Sequence, residues 1–376
     1  MPPPGNGSAG CLERPLDNPI VQTPTWLLGG KRAPPEDPSE AVVTAACEFA
    51  LESWQVLPAI WPRLWDWAGA GFARLPVIEA VRNRRVAVQV MARLQHMLLA
   101  RYTAELDRNH IPYVLLKGDA ARVLCYHHVS DRCGVDVDLG IPKQCCRDAE
   151  QIALEQGFLQ AEWNPQTKRF YHGVPERRAE VEAAHYELGF LARDQAVADL
   201  DAESEAAIRQ ALPGQDNWHE TNDGGLACYI TLDLHHRLTL AWDMDGSLAT
   251  ATHKTQDGVT FRVPSVPWVI FHIIGKIYLE GVATYRTGGH QFADLLRLVG
   301  QLDTHDARTL VRLLERHKFE APAYYVMRRL PSEFGVDLPI PIEEFLNRNA
   351  MTPDRNADAY MLNDLGDVWP KLWGRR

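Results

Sequence analysis

Apolar residues recur at three- and four-residue steps between Pro38 and Asn109. The longest such stripe runs from about Arg82 to Asp107 and consists of Ala87, Met91, Leu94, Leu98 and Tyr102. Apolar positions with this period are typical of the buried face of an amphipathic helix. The pattern therefore predicts a helical region over residues 38–110.

After Pro112 short apolar runs alternate with helical stretches, which is typical of mixed α and β structure. The predicted strands cover 112–117, 135–141, 158–163, 169–174, 184–191 and 227–238. Helices are predicted at 119–127 and 143–156, and the acidic stretch DLDAESEAAIRQAL indicates a helix or a surface insertion. We therefore predict one α+β domain, a mixed sheet with helices, over residues 111–240.

The flanking segments have different patterns. Residues 1–37 are rich in Pro and Gly with little periodicity, so we expect a disordered tail there. The apolar run VPWVIFHIIGKIYL predicts helix, and we assign a C-terminal helical region to 241–330. The remaining segment, 331–376, is punctuated by Pro, and we expect a second tail.

Composition narrows the class of protein. The net charge of −10 over 376 residues argues against a long nucleic acid as the partner, because such binders normally present a basic surface. Seven cysteines at irregular spacing, without a Cys-x-x-Cys pair, indicate neither a disulfide framework nor a zinc site. The first residues lack the pattern of a signal peptide, and the longest apolar run is too short to span a bilayer. We therefore expect a cytoplasmic protein with no membrane partner.

Two aspartates lie one residue apart on a predicted apolar strand. They are Asp136 and Asp138 in the stretch YVLLKGDAARVLCYHHVSDRCGVDVDLGIP, residues 113–142. Side chains alternate along a strand, so both carboxylates project from the same face and repel each other unless a cation lies between them. Mg²⁺ and Mn²⁺ prefer such oxygen ligands, whereas the alternative is two solvated acids at a sheet edge. If repulsion dominates without metal, Asp138→Asn leaves the protein as stable as before, or slightly more stable.

Phosphate chemistry at such a metal site usually needs a third carboxylate. Asp233, late in the predicted strand 227–238, is the leading candidate, and Glu187 is the second choice. His235 shares a strand face with Asp233, where it either orients that acid, acts as a base, or is only hydrogen-bonded.

Three further residues have the chemistry of a phosphate site. Lys117 and Gly118 end a strand and open a helix, where free N–H groups suit a phosphate. Arg132 precedes the acids, and either clamps phosphate or is an ordinary surface arginine. Lys117, likewise, either neutralises phosphate or only extends from a strand end to solvent.

Four stretches, IPYVLLKGDAARVLCY, DRCGVDVDL, the GF of EQGF and DLHHRL, resemble the uncharacterised nucleotidyltransferase family of the polymerase-β superfamily. The resemblance implies a minimal nucleotidyltransferase fold, with helical segments before and after its mixed sheet. It also implies NTP as co-substrate and Mg²⁺ or Mn²⁺ at Asp136 and Asp138, with Asp233 as third carboxylate. Lys117 and Gly118 align with the phosphate-side turn, and Arg132 with the basic residue before the acids.

The sequence departs from the family pattern at three positions. Asp119 stands where members usually have a small residue, and we expect it to cap the following helix, although a fixed charge there would oppose a triphosphate. Gly140 replaces a branched residue, which is expected to loosen the strand. His236 replaces a Trp, with an effect expected only on local packing.

Three functions remain open from the sequence. The leading interpretation is a nucleotidyltransferase that moves a nucleoside monophosphate, or a related phosphoryl group, onto a hydroxyl or amine. A metal-dependent glycosyltransferase is the main alternative, since one class of those enzymes also uses an Asp-x-Asp pair. The third is a non-catalytic binding protein that keeps the fold. The sequence does not distinguish a small molecule, a peptide, a protein or an RNA end as the acceptor.

Overall fold

The computed structural model describes residues 19–31, 33–34, 36–164, 166–174, 185–214, 217–238, 244–284 and 288–350. The predicted tails therefore lie outside the described residues over 1–18 and 351–376.

The N-terminal part is helical, as the apolar stripe predicts. Its helices are α1 (Pro19–Leu28), α2 (Glu40–Glu52), α3 (Leu57–Ala68) and α4 (Pro76–Arg108). Helix α4 buries Ala87, Met91, Leu98 and Tyr102, four of the five residues in that stripe. The expectation of a disordered tail is wrong for α1, because the apolar side chains of Leu27 and Leu28 are buried in the core.

Within the described residues, seven strands form one mixed sheet. They are β1 (Val114–Leu115), β2 (Asp136–Gly140), β3 (Leu159–Asn164), β4 (Arg169–His172), β5 (Leu191–Val197), β6 (Trp218–Glu220) and β7 (Leu226–His235). The order across the sheet is β1–β2–β7–β5–β3–β4, and β6 pairs with the first residues of β7. Strands β2 and β7 run parallel, while the other pairs are antiparallel. The α+β fold class is confirmed.

Three helices accompany these strands. They are α5 (Lys117–Cys125), α6 (Cys146–Glu155) and α7 (Ala202–Ala211). The last confirms the helical alternative for the acidic stretch, and Asp201 caps it by accepting a hydrogen bond from the Ser204 N–H at 2.7 Å.

The strand predicted at 184–191 is wrong. Among the described residues of this range, 185–191, the pairing before Leu191 is a single bridge from Glu187 to His235, and β5 begins at Leu191, which pairs with Leu232. The pairing shifts by one residue between these two contacts. An irregular stretch between them therefore replaces the regular strand that the sequence pattern predicts.

A second, two-stranded sheet lies in the segment for which only helices are expected. Strands β8 (Thr252–Gln256) and β9 (Val259–Val263) form a hairpin around Asp257 and Gly258, whose φ angles are +46° and +80°. Asp-Gly is a strong hairpin signal because a tight turn of this kind needs two positive φ angles. The helical interpretation of 241–330 overlooked that signal.

The remaining described residues are helical. The helices are α8 (Asp245–Ala249), α9 (Val266–Thr284), α10 (Gly289–Val299), α11 (Thr304–Arg316), α12 (Glu320–Met327), α13 (Arg329–Phe334) and α14 (Ile340–Asn349). Helix α14 buries Ile342 and Phe345, so the second expected tail begins with packed structure. None of the helices in the described ranges has the length and apolar character needed to cross a membrane.

Candidate active site

The parallel pair β2–β7 brings the predicted acids together. Asp138 is the direct partner of Asp233, and Asp136 is the partner of Thr231. Because side chains alternate in register on neighbouring strands, Asp136, Asp138 and Asp233 project from one face of the sheet. His235, opposite Gly140, projects from that face as well.

Three of these side chains have the geometry of a cation site. The ligand atoms of Asp138, Asp233 and His235 lie within 4.8 Å of one another, and all three residues are buried. Within the described part of the chain, Oδ1 of Asp233 has no hydrogen-bond partner although it is buried. Buried carboxylate oxygens normally have a partner, so the donor set and its free oxygen fit a divalent cation.

Lys117 occupies the position next to the acids. Its Nζ forms an ion pair with Oδ1 of Asp138 and lies 3.4 Å from Nε2 of His235. Lys117 begins α5 with φ at +45°, an uncommon backbone for a residue with a side chain. The second contact of Asp138 is Nε2 of His235, at 2.7 Å.

The charges on this cluster are unequal. Burial raises the pKa of Asp138, but Lys117 and His235 lower it more, so the pKa is well below its usual value. Burial raises the pKa of Asp233 well above its usual value, and the negative charges of Asp136 and Asp138 add to this. Asp138 is therefore ionised, while Asp233 tends to hold a proton.

These contacts correct the expected effect of Asp138→Asn. Asp138 is not one of two unpaired acids, because the ammonium of Lys117 neutralises it. Removing the carboxylate charge leaves that ammonium without its partner, so we expect the substitution to lower stability instead of leaving it unchanged.

Asp119 does not cap α5. It is the third residue of that helix, and its Oδ2 accepts a hydrogen bond from the backbone N–H of Asp138 at 3.1 Å. Its Oδ1 lies 3.0 Å from Nη2 of Arg122. Burial raises the pKa of Asp119 to about 6, against the opposing effect of Arg122. Asp119 therefore fastens α5 to β2, and its charge is paired within the protein.

Arg132 is buried and is not an ordinary surface arginine. Its Nη2 lies 3.1 Å from Oδ2 of Asp294, and its Nε lies 3.2 Å from Oδ1 of the same residue. A Cβ at Gly118 would lie 2.5 Å from Nη2 of Arg132. Gly118 thus gives the guanidinium room, and Asp294 on α10 holds it in place.

Gly140 also has a packing role that the sequence analysis missed. A Cβ at this position would lie 2.5 Å from the sulfur of Met244, so glycine lets that side chain pack on β2. The expectation of a loosened strand is therefore wrong.

A cavity of about 330 Å³ opens beside these residues. Lys117, Gly118, Arg132, Asp136 and Asp138 line it from the sheet side. Lys276 of α9 and His290 of α10 contribute from the C-terminal helices. No sequence pattern singled out His290, which lines the cavity because α10 packs against α5.

Glu187, the second choice for the third carboxylate, lies on the other side of His235. Its Oε2 is 3.7 Å from Nδ1 of His235, whose Nε2 faces Asp138. Tyr186 stacks on the same imidazole at 5.5 Å between ring centroids. Asp233, not Glu187, is thus the carboxylate that lies directly beside Asp138.

Comparison with known proteins supplies the family. A sequence model of the uncharacterised nucleotidyltransferase family matches residues 51–335, more than half of the chain. No curated protein matches this sequence.

Two solved structures show weak similarity. The solution structure of the antibiotic-resistance factor ANT(2'')-Ia is 14% identical with a TM-score of 0.34, over 63% of this chain and 100% of that one. An antigenic nucleotidyltransferase-like protein from Paracoccidioides brasiliensis is 12% identical with a TM-score of 0.27, over 68% of this chain and 93% of that one. The extent of the family match therefore decides the assignment: the chain is a nucleotidyltransferase and belongs to the uncharacterised nucleotidyltransferase family.

Proposed function

We propose that the protein transfers a nucleoside monophosphate, or a related phosphoryl group, from an NTP to a hydroxyl or amine acceptor and depends on a divalent metal. The observation that carries this proposal is the register of the parallel strands, which sets Asp233 beside Asp138. Asp138 lies in the wall of a cavity that also has three cationic side chains, Lys117, Arg132 and Lys276. Nucleotidyl transfer needs carboxylates that can bind a metal ion and cationic side chains that can bind phosphates, and this cavity has both.

Asp136, Asp138 and Asp233 are the residues that would hold Mg²⁺ or Mn²⁺. When bound, such an ion offsets the charge of the three carboxylates and polarises the phosphate oxygens. The unpartnered Oδ1 of Asp233 supports this assignment.

Lys117, Gly118 and Arg132 would bind the phosphates. Lys117 lies at the first turn of α5, where backbone N–H groups and the helix dipole favour an anion. Gly118 lets the chain approach closely, and Arg132 presents a guanidinium that Asp294 already orients. These groups position the triphosphate without forming bonds to it.

In the transfer step the acceptor oxygen or nitrogen forms a bond to the α-phosphorus. The bond from that phosphorus to the bridging oxygen breaks, and pyrophosphate leaves with the bonding electrons. Asp233 tends to hold a proton in the metal-free protein, and a divalent ion held by the three acids would favour its ionised form; that carboxylate, which lies beside Asp138, would then accept the acceptor's proton.

A thermal-shift experiment with pyrophosphate detection tests the proposal. Wild-type protein is heated with each NTP or UDP-sugar, with and without Mn²⁺, because a ligand that binds the native state raises the melting temperature. We expect an NTP and Mn²⁺ together to give the largest shift, and Asp233→Asn to lose it. A shift with UDP-sugars instead of NTPs would favour the glycosyltransferase alternative.

The same experiment distinguishes nucleotidyl transfer from the non-catalytic alternative. If NTP shifts the melting temperature equally with and without Mn²⁺, and no pyrophosphate forms with any acceptor tried, the protein binds nucleotides without transferring them.

A further inference from the structure

The cavity beside Lys117 contains uncharged hydrogen-bonding side chains to which the proposed metal and phosphate sites give no role. They are Gln55, His290 and Gln291. Gln55 belongs to the N-terminal helical part, in a short 3₁₀ turn over Trp54–Val56, and the other two lie in the first turn of α10. The cavity therefore receives side chains from outside the sheet on which its acids lie.

Backbone contacts fix the position of Gln55. Its carbonyl oxygen accepts a hydrogen bond from the backbone N–H of Cys133 at 2.8 Å, which joins the 3₁₀ turn to the segment just before β2. Ser53, which precedes the turn, is packed closely on α10, because a Cβ at Gly289 would lie 2.4 Å from its Oγ. Glycine at the start of α10 thus lets this helix approach the turn, and the two elements line one cavity.

The side chain of Gln55 has a free acceptor. Its Oε1 is buried, and within the described residues it has no hydrogen-bond partner. Buried amide oxygens normally accept a hydrogen bond, and an unpaired one costs stability. Gln291 differs, since its Oε1 accepts a hydrogen bond from the backbone N–H of Gly288 at 3.3 Å. The oxygen of Gln55 can therefore accept an N–H or O–H of a bound molecule without giving up a contact within the protein.

His290 adds a neutral imidazole to the cavity. Burial lowers the pKa of His290 well below its usual value, and the charges of Arg132 and Lys276 lower it further. A neutral imidazole has one nitrogen that donates a hydrogen bond and one that accepts. An ionised phosphate can use only the donating nitrogen, whereas an uncharged molecule with donors and acceptors can use both.

Two apolar side chains line the same cavity. Ile273 of α9 is buried, whereas Val135, just before β2, is 47% exposed, so the cavity is open to solvent on that side. Ligand sites commonly combine apolar walls with a few polar groups that fix orientation. A nucleobase has two apolar faces and an uncharged edge of donors and acceptors, and it therefore matches the side chains that phosphates leave unused.

We propose that Gln55 and His290 bind the nucleobase of the NTP, and that an N–H on the edge of the base donates a hydrogen bond to Oε1 of Gln55. This inference rests on the proposed function and names the residues that select the NTP. The N-terminal helical part and α10 thereby supply base recognition to a site whose metal and phosphate groups come from the sheet and α5.

Titration calorimetry with methyl triphosphate and with ATP, CTP, GTP and UTP, each with Mn²⁺, separates recognition of the base from that of the phosphates. Methyl triphosphate has the same ester-linked phosphates without a nucleoside, so the ratio of its dissociation constant to that of an NTP measures what the nucleoside contributes. We expect the best NTP to bind about tenfold more tightly than methyl triphosphate. In Gln55→Met, which keeps the length of the side chain but not its amide, this NTP should lose about fivefold in affinity and methyl triphosphate nothing.

A conservative variant and the ligand-free protein show whether Gln55 acts through a hydrogen bond. Gln55→Glu keeps an accepting oxygen but adds a negative charge, so it should weaken both ligands together and preserve the ratio. Because Gln55→Met removes an unpaired buried oxygen, the melting temperature of that variant should equal or exceed that of the wild type, whereas a purely structural role predicts a fall.

Gln151→Met is the matched control. Gln151 is exposed on α6, where it donates a hydrogen bond to Glu155 at 3.0 Å, and its substitution should change neither affinity.

The inference is overturned if Gln55→Met binds every NTP as the wild type does, or if no NTP binds more tightly than methyl triphosphate. It is also overturned if the 2′-deoxy form of the best NTP binds more weakly and Gln55→Met costs that form nothing further, because the oxygen would then contact the ribose. Binding of methyl triphosphate with Mn²⁺ in these cases would leave the proposed metal and phosphate sites intact. If neither methyl triphosphate nor any NTP binds, the proposed function fails, and this inference fails with it.

Discussion

Nζ of Lys117 forms an ion pair with Oδ1 of Asp138, whose side chain is buried, while that of Lys117 is 14% exposed. The carboxylate that a divalent ion would need thus already has a cation of the protein's own. In the proposed function, a divalent ion would compete with Lys117 for Asp138, and the displaced Lys117 would become available to a phosphate.

Substitution of Lys117 should consequently raise metal affinity. In Lys117→Met we expect Mn²⁺ to bind more tightly without nucleotide, as measured by calorimetric titration. The metal-free protein should lose about 3 kcal/mol of unfolding free energy, because Asp138 is left without its ammonium. An unchanged or lower Mn²⁺ affinity would show that Lys117 does not compete with the metal.

Asp233→Asn should separate metal binding from folding. The pKa of Asp233 is raised in the folded protein, so the folded state loses stability as the pH rises above the usual pKa of an aspartic acid. Asparagine does not ionise and removes this loss. We expect the melting temperature of the metal-free variant at pH 7 to equal or exceed that of the wild type, with no further rise on adding Mn²⁺.

Asp138→Asn is the contrasting variant, since it breaks the pair with Lys117. It should lose about 3 kcal/mol in urea unfolding, and adding Lys117→Met should recover part of the loss. Equal stability of the two single Asn variants would contradict this account of the cluster.

Gly118→Ala should impair nucleotide binding through Arg132. The added Cβ would lie 2.5 Å from Nη2 of Arg132. The ion pair with Asp294 limits how far this guanidinium can move away. We expect about a tenfold loss of NTP affinity, the effect of weakening one charge-assisted contact. Gly71→Ala is the control, because its Cβ meets nothing within 4 Å. Equal NTP affinities in the two variants would refute a phosphate role for this turn.

His96 should contribute to acid sensitivity. It is buried on α4 against Phe261, with 5.4 Å between ring centroids, and burial, followed by the charge of Arg122, lowers its pKa to about 4. The unfolded chain binds the proton more readily, so this stability is present above pH 6.5 and is lost as the pH falls towards 4.

His96→Leu should therefore flatten the pH dependence. Between pH 7.5 and pH 4.5 we expect the variant to lose about 2–3 kcal/mol less unfolding free energy than the wild type, measured by urea titration. Parallel losses in the two proteins would mean that His96 titrates normally in the fold.

Local patterns in the sequence predicted much of this architecture. The stripe from Ala87 to Tyr102 identified α4, and alternation identified the strand of Asp136 and Asp138, because both signals repeat within a few residues. Residue chemistry also pointed to Asp233, which the fold sets beside Asp138.

The partners of those residues could not be predicted from local pattern. Arg132 pairs with Asp294, and Asp119 accepts a bond from the backbone of Asp138 and pairs with Arg122, contacts that depend on how α5, β2 and α10 pack. The pairing shift near Glu187 likewise depends on its partner strand. The hairpin at Asp257 is different, since its Asp-Gly signal was present and was outweighed by the helical pattern that follows.

The parallel pairing of β2 with β7 also determines when the site can exist during folding. The two strands are neighbours in the sheet, yet β3, β4, β5 and β6 lie between them in the chain. Pairings between distant segments form slowly, because a long loop must close first. On the ribosome, β2 emerges long before its partner and has an open edge on that side until β7 is synthesised. The nascent chain therefore contains both aspartates of β2 well before the fold can place Asp233 beside Asp138.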